Sequence, residues 1–210
     1  IIVNENMSSN NLLDVGNQTW KQGRLISLAL NGLNIKYIPN SLSNLSELKI
    51  LHLDNNQIQS IPNALGNLLN LEELVLDENF ISTLPESICN LNNLTGLSMD
   101  NNQLVELPEN FGSLYNLREL YLNYNKLTIL PETFGNLNSL EILLIYYNDL
   151  QKFPDNIGDL SNLKVLYSSN NKITSLPESI SKLRSLNKLW INSNQLSSLP
   201  SSICELPENC

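Results

Sequence analysis

Proline recurs at positions 39, 62, 85, 108, 131, 154, 177 and 200, every interval being 23 residues. A period of that length restricts the chain to architectures in which one small unit is stacked on itself. Each unit of such a stack meets its neighbours alone and completes its core through them. The product is a long continuous face. A catalytic pocket needs side chains converging from several directions, and a stack of equal units does not favour one.

One unit can be read from Leu71 to Asn93. Apolar residues stand before its proline at Leu71, Leu74, Leu76, Ile81 and Leu84, and after it at Ile88 and Leu91. The column eleven positions before the proline is leucine throughout: Leu28, Leu51, Leu74, Leu97, Leu120, Leu143, Leu166 and Leu189. Leu74 and Leu76 alternate with outward positions, which is the period of a strand. From Pro85 to Leu91 the apolar spacing is three, which predicts a short α or 3₁₀ turn. Proline suits the first position of such a turn, where no donor is needed. The acidic residue that often follows (Glu86, Glu109, Glu132, Asp155 and Glu178) favours the positive end of the turn's dipole.

Six positions before the proline stand Asn56, Asn79, Asn102, Asn125, Asn148, Asn171 and Asn194. A side-chain amide at a chain reversal bonds backbone groups that lack a partner, so these residues are expected to form a structural ladder. Four positions after it stand Ser43, Gly66, Cys89, Gly112, Gly135, Gly158, Ser181 and Cys204, all small, as expected where backbone layers approach closely.

The run from Leu71 to Pro85, Leu-Glu-Glu-Leu-Val-Leu-Asp-Glu-Asn-Phe-Ile-Ser-Thr-Leu-Pro, resembles the leucine-rich repeat family, and the resemblance extends over about residues 24–206. It implies an α/β fold: a curved solenoid of about eight repeats, with a parallel β-sheet on the concave face and short α or 3₁₀ turns on the convex face. Family members mostly bind proteins through the concave face. Two positions depart from the pattern. Leu33 replaces the ladder asparagine of the first unit, and Ser168 occupies a core column filled elsewhere by Leu, Ile or Met. At Ser168 a packing defect or a hydroxyl bonded to backbone is expected.

Residues 1–23 are expected to form an N-terminal cap. Leu12, Leu13, Val15 and Trp20 suit a short helix over Asn10 to Trp20, laid on Leu28 and Leu30 with Trp20 as its anchor. Residues 207–210 read as the start of a C-terminal cap too short to cover the last layer, which implies a chain continuing beyond Cys210 or an end that meets another molecule. Ser202 to Cys210 resembles the cysteine cap of extracellular family members, which implies a Cys204–Cys210 pairing and favours secretion or the cell surface. A cytoplasmic solenoid with free thiols is the alternative. Asn6, Asn17, Asn44 and Asn93 head glycosylation triplets, and chance matches are expected in so asparagine-rich a chain. No apolar run approaches the ~20 residues that span a bilayer. The net charge of −9 argues against nucleic acid and suits a partner with a basic patch.

Positions twelve, ten, eight and seven before the proline face the concave side and are not set by the core, so their identities carry functional information. They form two zones. An acidic zone holds Asp54, Glu73, Asp77, Glu78 and Asp100, beside His52, the single histidine. An aromatic zone holds Tyr121, Tyr124, Leu144, Tyr146, Tyr147, Tyr167 and Trp190, with five of the chain's seven tyrosines. Tyrosine and tryptophan join large contact area to a polar tip and are enriched at interface hot spots. Of these thirteen residues, the eleven other than Glu73 and Glu78 are the expected partner-binding set. A stacked carboxylate column lacks the compact 6–8 oxygen ligands that calcium wants. No nucleophile, phosphate loop or paired metal motif accompanies His52, so no enzyme activity and no cofactor are expected. The reading is a module for a protein or peptide ligand. A recognition segment of a larger enzyme or receptor, and a self-associating structural module, stay open beside it.

Overall fold

The computed structural model describes residues 16–207. Nine strands lie side by side in chain order in one sheet: β1 (Asn17–Lys21), β2 (Arg24–Ala29), β3 (Ile50–His52), β4 (Glu73–Val75), β5 (Gly96–Ser98), β6 (Glu119–Tyr121), β7 (Ile142–Leu144), β8 (Val165–Tyr167) and β9 (Lys188–Trp190). From β2 onward all pairs are parallel, and partners differ by one repeat, as in Leu51↔Leu74 and Leu143↔Leu166. Core burial imposes that register, because a slip of one residue would turn every leucine of the column outward. Leu28, Leu51, Leu74, Leu97, Leu120, Leu143 and Leu166 are all buried in one continuous core. Each contributes about 2 kcal/mol on burial. The sheet is open, and the chain is a solenoid.

The convex turns are 3₁₀ throughout the described residues, from Asn40–Asn44 in the first unit to Ser201–Glu205 in the last. Proline does not take the first helical position as expected. At Pro85 it is the extended residue just before the turn, with ψ 148°, and its carbonyl accepts from Ile88 N–H at 3.0 Å. The acidic residue after it reaches sideways rather than down its own turn: Glu86 accepts from Glu109 N–H (3.0 Å), and Glu178 from Ser201 and Ser202 N–H.

The asparagine amides bind successive coils together. Asn125 Nδ2 donates to the carbonyls of Met99 (2.9 Å), Leu122 (3.2 Å) and Asn123 (3.2 Å), while its Oδ1 accepts from Leu104 N–H (2.9 Å). Asn79 and Asn171 hold the matching bonds in their own coils. In the first unit, which lacks the asparagine, Leu33 and Ile35 N–H both donate to Asn56 Oδ1 of the next coil.

The N-terminal helix is a correction. Leu12, Leu13 and Val15 lie outside the described residues, but the segment that reaches Trp20 is β1, paired antiparallel with β2. The free edge of β2 presents unpaired N–H and C=O groups, and a strand satisfies them where a helix cannot. The connection is a two-residue turn with both central residues at positive φ, Gln22 at 51° and Gly23 at 75°, the hairpin geometry that glycine favours. Trp20 consequently does not anchor a cap on Leu28 and Leu30. It is 51% exposed, and its indole N–H donates to Gln18 Oε1 at 3.1 Å.

Ser168 is fully buried, and its hydroxyl oxygen has no hydrogen-bond partner, so the expected bond to backbone is absent. At the other end of the solenoid Leu189, Ile191, Leu196, Ile203 and Leu206 are only partly buried. Cys204 is exposed, and its expected partner Cys210 lies outside the described residues.

Candidate interaction face

The short strands aim alternate side chains at the concave surface, and the residues that follow each strand extend that face. The column eight before the proline does double duty there. Asp77 Oδ1 accepts from Ser98 Oγ (2.6 Å) and from Asp100 N–H (2.7 Å). Asp100 accepts from the backbone N–H (2.7 Å) and the amide (2.9 Å) of Asn123, whose own Oδ1 accepts from Tyr146 N–H (3.1 Å). Asp77 and Asp100, expected as partner contacts, thus hold the strand ends of the next coil together. Burial pushes both carboxyls above the ordinary carboxylate range, and these hydrogen bonds only partly oppose it. Asp54 is the first carboxylate of the column, with one buried oxygen unpartnered. His52 Nε2 lies 2.9 Å from Glu73 Oε1 on the neighbouring strand.

The aromatic residues separate into two groups. Tyr124 and Tyr147 stack with ring centres 4.6 Å apart, and Tyr146 meets both edge-on at 5.5 and 5.9 Å. Tyr167 and Trp190 form a second stack at 4.1 Å. Between the groups lies a hollow of about 410 Å³ over Leu144, walled by Tyr146, Tyr167 and Trp190 and rimmed by Ser169, Asn170 and Asn192. Trp190 is 56% exposed. Tyr121 stands apart: its hydroxyl donates to Glu119 Oε2 at 2.8 Å, and burial, then the carboxylate, push the phenol up to about 12, which keeps it neutral.

The backbone beneath the first group is unusual. Every coil passes through a left-handed residue seven before its proline: Gly32, Asn55, Asn101 and Asn170 suit it, since glycine and asparagine tolerate that region, and Glu78 and Ser193 also take it. In the middle of the solenoid the position is held by Tyr124 and Tyr147, both at φ 54°. A bulky side chain there is a genuine outlier. These two rings are 45% and 47% exposed, so core packing does not account for them.

A second hollow, of about 290 Å³, lies on β4–β6 at the other end of the strands. Its centre is Gly96, with Glu73 and Glu119 on the flanking strands and Ser98, Arg118 and Tyr121 around it. Sequence reasoning placed Glu73 on this face but missed Gly96. The signal was available: Gly96 interrupts the column Ile50, Glu73, Glu119, Ile142, Val165 and Lys188.

No group of three or more metal-binding side chains converges among the described residues. Cys89 is buried on the convex side, where burial and then Glu86 push its thiol up to about 11, far from a reactive thiolate. No helix among the described residues is long and apolar enough to cross a membrane. The face offers shape, ring surfaces and carboxylates, which are tools of recognition.

A parallel solenoid with amide-linked coils and side chains displayed along one open sheet defines a repeat scaffold. Models of the leucine-rich repeat region, the leucine rich repeat and a further leucine-rich repeat match residues 24–123, 108–150 and 162–183. The chain belongs to the leucine-rich repeat proteins. Such domains are commonly protein-interaction modules. Among solved structures it is similar to a leucine-rich repeat protein of Leptospira interrogans, at 35% identity and TM-score 0.83, over 87% of this chain and 46% of that one. It is also similar to the ectodomain of the plant membrane receptor kinase GASSHO1/SCHENGEN3 from Arabidopsis thaliana, solved in complex with CASPARIAN STRIP INTEGRITY FACTOR 2. There the identity is 30% and the TM-score 0.78, over 89% of this chain and 26% of that one. A third likeness is to the leucine-rich repeat domain of the type III effector XopL, with 28% identity and TM-score 0.69, over 88% of this chain and 74% of that one. The chain thus spans less than half the length of the first two. No match was found among curated proteins.

Proposed function

We propose that the chain is a binding module for a protein or peptide, which it grips on its concave face through Tyr124, Tyr146, Tyr147, Tyr167 and Trp190. The observation that carries this reading is the placement of Tyr124 and Tyr147. Both occupy left-handed backbone that glycine, asparagine, glutamate or serine holds in the other coils, and both leave nearly half of their surface open. Strain of that kind, kept where the rings pack on one another at the surface and not in the core, is in keeping with a functional face. The likeness to a receptor ectodomain solved with a bound factor supports the same reading and an extracellular setting.

The test is a pull-down with the native chain and with Tyr146→Ala plus Tyr167→Ala. Both rings lie on the surface of the sheet, so the double variant is expected to melt close to the native chain and to lose its partner. Unchanged capture by the double variant would refute the assignment. Sedimentation equilibrium over a hundredfold concentration range decides whether the partner is a second copy: a dimer lost in the variant would mean that it is.

A further inference from the structure

The hollow at Gly96 narrows what this face takes. Glycine has two structural reasons to be conserved in shape within a repeat, and neither applies to it. Gly112 and Gly158 have no room for a side chain, since a Cβ would stand 1.8 and 1.9 Å from carbonyl oxygens of the next coil. Gly16, Gly23 and Gly32 sit at positive φ. At Gly96 a Cβ would meet only Glu73 Cγ, at 3.8 Å, an ordinary contact, and its φ is not positive. Glycine inside a strand weakens it and often marks the close approach of something else. Here the missing side chain opens the hollow, and the flanking strands supply Glu73 and Glu119.

The charge around the hollow is one-sided. Glu73 is shared with His52 at 2.9 Å, and Glu119 accepts only a neutral phenol. Asp77 and Asp100 lie just beyond Ser98 and Tyr121. Arg118, the one cation on the rim, is 3.9 Å from Glu141, which Lys164 also engages. Strands lie ~4.8 Å apart, so Glu73 and Glu119 are separated by ~10 Å, the width that admits one guanidinium or ammonium group between two carboxylates.

Resting on the concave-face reading above, we infer that the partner is an extended segment carrying a basic residue that seats over Gly96 between Glu73 and Glu119, and an apolar or aromatic residue that enters the hollow between Tyr146, Tyr167 and Trp190. Gly96 is on β5 and the aromatic hollow over Leu144 centres on β8, three strands away. Adding the offset along the strands, the two seats are roughly 16 Å apart, which extended chain covers in about five residues.

A displayed library of random dodecapeptides, selected on the native chain, tests this. The expected enrichment is arginine or lysine about five residues from Phe, Trp, Tyr or Leu. Repeating the selection on Glu73→Gln plus Glu119→Gln, and on Gly96→Leu, is expected to remove the basic preference and keep the apolar one. Both changes are at surface positions, and thermal melts near the native value establish that the variants are folded. Enrichment that depends on Tyr146 and Tyr167 but shows no basic residue would overturn the inference and leave the concave-face reading standing. Enrichment indifferent to Tyr146→Ala plus Tyr167→Ala, or none at all on the native chain, would overturn both.

Discussion

Ser168 offers a sharp test of how this core is built. The seven equivalent positions in other coils are Leu30, Leu53, Leu76, Met99, Leu122, Ile145 and Ile191. The backbone of Ser168 is fully used: its N–H donates to Trp190 O (2.8 Å), and its carbonyl accepts from Asn171 and Asn194 amides at 3.1 and 3.0 Å. Only the hydroxyl is buried without a partner. Leaving such a group unpaired costs about 1–3 kcal/mol. Ser168→Ala removes it and loses no bond, so it is expected to stabilise by about 1–2 kcal/mol, or about 2–8 °C in Tm for a chain of this size. Ser168→Ile should gain more. The spacing between coils is set by backbone bonds on both sides, Ile145 N to Tyr167 O and Ser168 N to Trp190 O, both 2.8 Å, so the coil has not closed in around the smaller residue. Each restored methylene is worth about 0.8 kcal/mol. The assay is urea unfolding followed by far-UV circular dichroism, with the slope m compared among the three chains so that a shift in midpoint reports stability alone. A lower midpoint for Ser168→Ala would refute the reasoning, because it would show that the hydroxyl is bonded in solution.

Gly112→Ala is expected to destabilise by at least about 3 kcal/mol, because its Cβ would stand 1.8 Å from Thr133 O, whereas Gly96→Ala should be near neutral; thermal melts of both decide it. Asp100→Asn should keep the bond from Asn123 N–H, as Asn123 accepts from Tyr146 N–H at the same place in the next coil, and lose the bond from the Asn123 amide. The Asp100 carboxyl is raised in the folded chain, so it adds most stability when protonated and loses it as pH rises through the folded value. The native chain should therefore gain stability relative to the Asn variant as pH falls from about 7 toward about 3. A native chain that loses ground to the variant on acidification would contradict the sign. Tyr124→Asn trades about 1 kcal/mol of relieved backbone strain against about 0.5–1.5 kcal/mol of ring contacts, so it should melt within a few degrees of the native chain while weakening partner capture. A large drop in Tm would make the tyrosine structural.

Most of the fold was legible because its determinants repeat. A leucine column eight deep allows one register, and no local ambiguity survives it. What stayed hidden lies where the repeat stops or where a position answers to space rather than to pattern. The segment Asn10 to Trp20 reads as a helix because Leu12, Leu13, Val15 and Trp20 suit an apolar helical face, while the stronger demand on its described end comes from the open edge of β2. The glycine at position 23 after Gln22 was the missed sign of a hairpin. Of the site, the rings and carboxylates were visible as columns. Two things were not. Asp77 and Asp100 spend their oxygens on the next coil, which depends on side-chain torsion, and the strain at Tyr124 and Tyr147 appears only once the backbone is known. Gly96 was legible as a break in its column, but a glycine means a hollow only when its surroundings are seen to leave room.

The constant register of the sheet has a consequence for how such a face can change. Strands pair one repeat apart at every step from β3 to β9. The interval between two seats on the sheet is therefore not a continuous variable. It moves in whole coils of ~4.8 Å, or about one and a half residues of extended ligand. Removing one coil between Gly96 and Tyr167 would leave every remaining pairing intact and shorten the preferred ligand by that amount. Ligand length in this architecture is counted in genetic units of 23 residues.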